Sequence, residues 1–442
     1  MEISKEAPPA LVPIEATQVG DARSRWAFAE PSVWTDLMLT TLERGVKGGK
    51  WFSLCDKAFS LRTLAACFAK VKANGGTHGV DGISIARFES RLDENLSSLH
   101  RELMEGNYRP QPVRRVWIPK PGTKERRPLG IPTVRDRIVQ TAIKVAIEPI
   151  FEKEFMDGSF GFRPGRSCHQ ALSRVNRLLI SGSAYVVDAD MRKFFDTIPH
   201  EVIMSGLKAK VSDGNLLAVI ESYLTAGVMD AWSFETTNEG TPQGSVMSPL
   251  LANIALHGLD VLAAREGFRL IRYADDFVVL CLDQEEAESA LEAVREWVNS
   301  QGLTLHPEKT KVVDYGAGES FDFLGFTFRK GSFFPRKKSV QNLHGKLREK
   351  TRRTSGKSLK AIISSLNLVL RGWYGYFKPS PAHALEAQDK MVRRRLRAIL
   401  EHREHRNHGH TINNSKRWSN LFFEREGLFS MALAKRNRVN PL

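Results

Sequence analysis

The sequence predicts an α+β protein in which an antiparallel sheet presents a group of carboxylates and a basic helical region closes the chain. Three observations lead there. Leu270 to Leu280 reads as apolar strand, two-acid turn, apolar strand, with Asp275 and Asp276 at the tip of a hairpin. Tyr185 to Asp190 is a second apolar run that ends in acids, as a buried strand beside that hairpin would. The charge is also divided unevenly: the net +15 over 442 residues resolves to +19 from Lys330 onward, with 26 Lys or Arg against 7 Asp or Glu, and −4 before it. An asymmetry of that size points to a polyanionic partner for the C-terminal part. The length suits two or three subdomains around a large core.

In chain order, residues 1–45 carry Pro8, Pro9, Pro13 and Pro31 without sustained periodicity and read as an extension with no task assigned. From Trp51 to about Tyr108 the pattern is helical, with Leu61, Leu64, Ala65 and Phe68 on one face, and Gly79-Val80-Asp81-Gly82 breaks it as a turn. Val113 to Lys120 alternates as a strand, Gly122 marks a turn and Arg126-Arg127 begins the return, so Lys120 and Arg127 are expected to face each other. Asp136 to Phe155 is a helix with a late kink at Pro149. The polar loop Gly240-Thr241-Pro242-Gln243-Gly244-Ser245 opens onto an apolar helix, an arrangement whose free N–H groups suit phosphate. Glu285 to Val298 is an amphipathic helix, and Leu303 to Lys311 returns two lysines towards the acids. Phe323 to Phe328 alternates as a strand with a close-approach glycine, Gly325. Lys346 to Lys360 and Met391 to Arg406 read as basic helices, with Leu359, Ile362, Ile363 and Leu366 beginning an apolar face between them. Trp373, Tyr374, Tyr376 and Phe377 are expected mostly in the core.

Adjacent carboxylates repel, and the repulsion disappears when a divalent cation sits between them; hard oxygen ligands favour Mg²⁺. An Asp-Asp pair alone is more often only a turn, so a third acid decides. Asp190 supplies it; Asp188 is on the same side of the strand, and it is the family resemblance given next that points to Asp190 and leaves Asp188 as a structural acid. Three acids converging on two metals roughly 3.5–4 Å apart suit in-line phosphoryl transfer, one ion activating a hydroxyl and the other steadying the leaving oxygen. The hairpin resembles the Tyr-x-Asp-Asp box of reverse transcriptases, and Asp190 followed by Phe194-Phe195-Asp196 resembles their first palm motif. More closely, the chain resembles the reverse transcriptase and maturase proteins of bacterial group II introns, in the compact form that lacks the endonuclease segment. Arg127 to Pro132, Ser159 to Gly165, Gly240 to Ser245, Phe323 to Phe326 and Gly372 to Phe377 occur in that family's order across most of residues 50–442.

The resemblance implies a right-hand polymerase: an N-terminal extension (1–45), a helical region and fingers (46–182), a palm (183–335) and a basic helical thumb, or maturase, domain (336–442). It implies RNA-directed DNA synthesis from dNTPs on an RNA template with a DNA or RNA primer. Two Mg²⁺ ions, with Mn²⁺ as the alternative, would be held by Asp190, Asp275 and the backbone carbonyl of Met191, and Asp276 completes the catalytic acids. The cationic hairpin is otherwise a solvated basic face; with the resemblance, Lys120 and Arg127 contact the triphosphate, and Arg126 substitutes if the register slips. Phe195, five residues past Asp190, would lie under the sugar and exclude a 2′-hydroxyl. Gln243 lines the nucleotide site, and Lys309 is the candidate general acid with Lys311 in reserve. Nucleic-acid contacts fall to Arg163, Tyr273, Lys346, Arg348, Arg352, Arg353, Arg393 and Arg394, with Phe160, Phe162 and Arg163 read equally as core or as a template grip.

A second implied task is binding the parent intron RNA and stabilising its spliced fold. Two other readings stand beside this one, a non-catalytic RNA-binding splicing cofactor and a domesticated reverse transcriptase for repair or phage defence. Cys55, Cys67, Cys168 and Cys281 are scattered without a C-x-x-C pair, against a disulfide scaffold or zinc ribbon. His402, His405, His408 and His410 have no cysteine beside them and read as an RNA-contacting or solvated tract. No leader follows Met1 and no apolar run approaches about 20 residues, so a cytoplasmic protein without a membrane span is expected.

Overall fold

The structure, a computed structural model, describes residues 22–119, 126–231, 233–404 and 412–439. Its strands in chain order are β1 (Val113–Pro119), β2 (Arg126–Ile131), β3 (Tyr185–Asp190), β4 (Val228–Asp230), β5 (Ser233–Glu235), β6 (Arg269–Tyr273), β7 (Asp276–Cys281), β8 (Lys311–Asp314), β9 (Phe321–Phe323), β10 (Phe326–Arg329) and β11 (Ser332–Pro335). They form three sheets, ordered β2-β1-β4-β5, β6-β7-β3-β8 and β11-β10-β9. Every pairing is antiparallel except β1 with β4.

The middle sheet is the frame for the acids. Alternation along β3 sends Val187 and Ala189 into the main core with Phe277 and Val279, against the helices Ser248–Arg265 and Gln284–Ser300. Val186 joins Val278, Leu280 and the phenylalanines of β9 and β10 on the other face. Apolar residues thus cover both faces, and the polar positions Asp188 and Asp190 share the second face near its end.

The helix Val134–Glu152 runs through the main core; Thr133 caps it by accepting from the Asp136 N–H. The expected turn at Gly79 packs on this start, where a Cβ would stand 2.6 Å from Thr133 Cα. After β11, the helices Lys337–Lys350, Leu359–Phe377, Ala382–Arg403 and Met431–Val439 gather around Leu347, Ile362, Leu366, Leu370 and Leu396. Buried Asp389 accepts from Ser430 Oγ and from the N–H groups of Met431 and Ala432, so it ties the last helix to the bundle.

Three expectations are corrected. Phe323 to Phe328 is a hairpin, not one strand: Leu324 and Gly325 turn at φ +48° and +77°, and Phe323 pairs with Phe326. The expected helix from Lys346 to Lys360 is the end of one helix and the start of another, broken over 351–358 where Ser358 caps the second. Arg127 lies opposite Ile118, while Lys120 falls outside the described residues. The short β4–β5 hairpin, three residues a side, was not anticipated. Among the described residues no helix is long and apolar enough to cross a membrane.

Candidate active site

Strands β6 and β7 pair so that Tyr273 faces Asp276, which leaves Ala274 and Asp275 as a two-residue turn. The turn begins at φ +59° on Ala274, a value unusual for any residue but glycine. Asp190 stands directly opposite Asp276 in the β3–β7 ladder, so the two side chains leave the same face as close neighbours. Asp275 sits beside them at the tip, and the three acids occupy one end of the middle sheet.

Electrostatics follow from the crowding. Burial first, then the charges of Asp188, Asp275 and Asp190, push the Asp276 carboxyl up to about 7. Burial raises Asp275 as well, with Asp190 contributing, and holds Asp188 at about 6. Lys309 answers part of this negative charge, its Nζ 2.5 Å from Asp190 Oδ2.

The loop that carries Lys309 is joined to the end of β3. Leu305 pairs with Met191, the His306 N–H donates to the Asp190 carbonyl and the Arg192 N–H donates to Thr304. This register leaves the Met191 carbonyl without a hydrogen-bond donor among the described residues. Mutually repelling, half-buried carboxylates beside a free carbonyl oxygen form a hard-oxygen donor set of the kind a divalent cation takes. Among the described residues no three His, Cys, Asp or Glu side chains gather into a metal cluster. Asp276 faces the Leu324 N–H, which lowers its pKa against the larger opposing effects.

A family model described as reverse transcriptase (RNA-dependent DNA polymerase) matches residues 118–328, and one described as group II intron, maturase-specific domain matches residues 340–418. Protein YkfC of Escherichia coli K12 is 33% identical over 342 residues, which cover 68% of this chain and 84% of YkfC. The chain belongs to the reverse transcriptase family, with a group II intron maturase domain. The group II intron-encoded protein LtrA of Lactococcus lactis subsp. cremoris is 42% identical over 168 residues, covering 38% of this chain and 28% of LtrA. A telomerase structure from Candida albicans, in complex with a fragment of telomeric RNA, aligns at 13% identity and a TM-score of 0.42 over 76% of this chain and 63% of that one, a likeness too loose to carry an argument.

In this reverse transcriptase a cavity of about 270 Å³ is lined by Phe195, Asp196, Gln243, Arg115, Trp117 and Pro128, among others. The carboxylates at the turn are not in its lining. Its walls are fixed by backbone contacts at glycines. Gly240, at φ +80°, lies so close to the Phe195 segment that a Cβ would stand 2.6 Å from the Asp196 carbonyl oxygen, and the Thr241 N–H donates to Phe195. On the other side the Gly130 N–H donates to the Gln243 carbonyl, which docks the β1–β2 hairpin on the same loop. Arg115 is held by Asp230 and Glu235 at the mouth. Phe195 and Gln243 are thus brought together, and Arg127 is exposed on β2.

Two residues expected at nucleic acid are elsewhere. Arg163 is 6% exposed and spends its donors on Glu152 and on the carbonyls of Phe155, Met156 and Ser159; it braces the loop after the helix Val134–Glu152. Its neighbour Phe162 is exposed, at φ +58°, with its ring 6.4 Å from that of Tyr273. Arg393 is 8% exposed within the helical bundle, on the inner side of Ala382–Arg403. Lys346, Arg348, Arg352, Arg353 and Arg394 are exposed. Of the four histidines, His405, His408 and His410 lie outside the described residues.

Sequence reading missed three supports of the site. Arg272 is wholly buried under the turn. Gly161 abuts the turn, where a Cβ would stand 2.3 Å from the Ala274 nitrogen. Tyr376 donates to the Leu324 carbonyl at 2.8 Å, which joins the maturase domain to the turn of β9–β10. A signal for the first existed: Asn253 and Asp260, seven apart in an apolar helix, share a face, and Arg272 stands in an apolar strand.

Proposed function

We propose that the protein extends a primer 3′-hydroxyl with dNTPs on an RNA template, and that its basic helical domain binds structured intron RNA to promote splicing and retromobility. The observation that carries the first part is the gathering of Asp190, Asp275 and Asp276 at one sheet end, and Phe195, five residues after Asp190, walls a cavity with Gln243. Asp190, Asp275 and the Met191 carbonyl would hold two Mg²⁺ ions, or Mn²⁺ in their place. When bound, the ions activate the attacking hydroxyl and neutralise charge on the transferred phosphate.

The chain's own groups do the remaining work. Phe195 is the floor for the sugar and leaves no room for a 2′-hydroxyl; Gln243 lines the nucleotide site. Arg127, with Lys120, neutralises the triphosphate from the hairpin. Lys309 stands within reach of the carboxylates and donates a proton as pyrophosphate leaves. Asp276 supports the turn, and Tyr273 with Phe162 offers an aromatic surface to the template-primer.

For RNA binding, Arg395 is informative: burial lowers its pKa, and so do the charges of Arg348, Arg353 and Arg394, three like charges that crowd it. Guanidinium groups crowded in this way suit a phosphate backbone. The test is extension of a DNA primer on an RNA template with dNTPs and Mg²⁺, comparing wild type with Asp275→Asn, alongside binding of structured RNA. Synthesis by wild type alone, with RNA binding nearly intact in the variant, supports both roles. Equal loss of both sinks their separation, and two inert proteins that bind RNA tightly replace the polymerase with a splicing cofactor.

A further inference from the structure

We infer that Arg272 is a positioning residue that fixes the backbone of the catalytic turn, and with it the carboxylate of Asp275, from the helix Ser248–Arg265. The inference deepens the polymerase reading and rests on it. Strand pairing fixes only the ends of the turn, at Tyr273 and Asp276. The remaining freedom is the orientation of the peptide unit between Ala274 and Asp275, and Ala274 adopts φ +59° without the excuse of being glycine. The oxygen of that peptide unit is the Ala274 carbonyl, and Arg272 Nη1 donates to it at 3.0 Å.

The direction of that donation is set by the other four N–H groups of the same guanidinium. Nε donates to Asp260 Oδ1 at 2.8 Å and Nη2 to Asp260 Oδ2 at 2.5 Å. Nη1 also donates to Asn253 Oδ1 at 3.0 Å, and Nη2 to Ser159 Oγ at 2.9 Å. All five donors of a planar, rigid fork are satisfied, so three fixed neighbours determine where the fifth bond points. Asn253 extends the brace: its Nδ2 donates at 2.8 Å to the carbonyl of Gly161, the residue that abuts the turn from the other side.

Stability does not account for this arrangement. Arg272 and Asp260 are fully desolvated, and well-packed apolar residues in place of such a buried pair are commonly as stable or more so. What an apolar side chain cannot do is aim a donor at one carbonyl. A lysine keeps the charge but not the fork, and so cannot hold Asp260, Asn253, Ser159 and Ala274 together.

The test uses the full chain carrying Arg272→Lys or Asn253→Ala. Each is titrated with Mg²⁺ in two readouts, single-nucleotide extension and the Mg²⁺-dependent shift of the melting midpoint without substrate. For Asn253→Ala the expected result is about a tenfold fall in kcat and at least a threefold rise in the Mg²⁺ needed for half effect in both readouts, with KM for dNTP within about twofold of wild type. Arg272→Lys is expected to lose about a hundredfold in kcat, and if it does not fold, Asn253→Ala decides. Folded variants with a wild-type Mg²⁺ response in both readouts overturn the inference, as does a loss of activity that follows only the fraction folded. A wild type that shows the Mg²⁺ shift but extends nothing overturns the polymerase reading instead, and the shift then judges the role of Arg272 alone.

Discussion

Gly161→Ala tests how finely the acids must be placed. The added methyl carbon would stand 2.3 Å from the Ala274 nitrogen and 2.9 Å from the Tyr273 carbonyl carbon, where ordinary contact begins at 3.4 Å, so something must yield by about 1.1 Å. The segment that carries Gly161 cannot simply retreat. Its Phe160 N–H donates to Arg272 and its Gly158 carbonyl accepts from Arg272, both at 2.8 Å, and Gly161 itself accepts from Asn253 at 2.8 Å. Backing away by that amount breaks these bonds, at about 1 kcal/mol each. Moving the two-residue turn is the cheaper response, and a shift near 1 Å in a reacting geometry costs about 10²-fold in rate, or ~2.7 kcal/mol. The assay is single-nucleotide extension at saturating dNTP and primer-template, with a thermal melt of each protein. Gly165→Ala is the control, since that glycine has φ +70° but nothing within 4 Å, so its substitution strains the same loop without pushing on the turn. A folded Gly161→Ala protein within about threefold of wild-type rate would refute the reasoning, as would an equal loss in Gly165→Ala.

Without metal, stability should fall as pH rises. Asp188 and Asp276 have folded values of about 6 and 7, above their unfolded ones, so their contribution is full below about pH 4 and is lost as pH climbs through 6 and 7. Melts in EDTA at pH 5.5 and 8 should show the drop, Mg²⁺ should offset it at pH 8, and Asp276→Asn should remove about 1–3 kcal/mol of it; no dependence on Asp276 would contradict the charge crowding. Tyr376→Phe deletes one donor to the Leu324 carbonyl and should shorten the products of a single binding event with little change in melting, a cost of about 1 kcal/mol; unchanged product lengths would make the hydroxyl incidental. Replacing Arg348, Arg353 and Arg394 together by Gln should reduce the salt dependence of structured-RNA binding by a slope of about 2–3. An unaltered slope would move the RNA surface elsewhere.

The residues proposed for the chemistry could be picked out because each sits in a short local pattern. Asp190 closes an apolar run, Asp275 and Asp276 cap a hairpin, and Gln243 lies in a loop opening onto a helix; strand alternation and turn composition locate these residues, and the family resemblance singles out Asp190 over Asp188. The antiparallel frame followed from the same runs. What failed is also consistent. Arg393 was assigned to nucleic acid on the charge of its helix and Arg163 with the aromatics beside it, but a guanidinium can be buried when an acid and backbone carbonyls lie within reach, as Glu152 and the loop 155–159 do for Arg163. Phe323 to Phe328 alternates as a strand should, and only the positive φ of Leu324 and Gly325 reveals the turn. The supports of the catalytic turn are drawn from residues 159, 161, 253, 260 and 272, spread over more than a hundred positions, and no local period joins them. Their distribution has a physical reason. A carboxylate that must bind metal has to face solvent at a strand end, where local structure alone holds it loosely. Rigidity has to come from the buried side of the turn, and that side is assembled only when a loop, a helix and a strand distant in the chain have packed together.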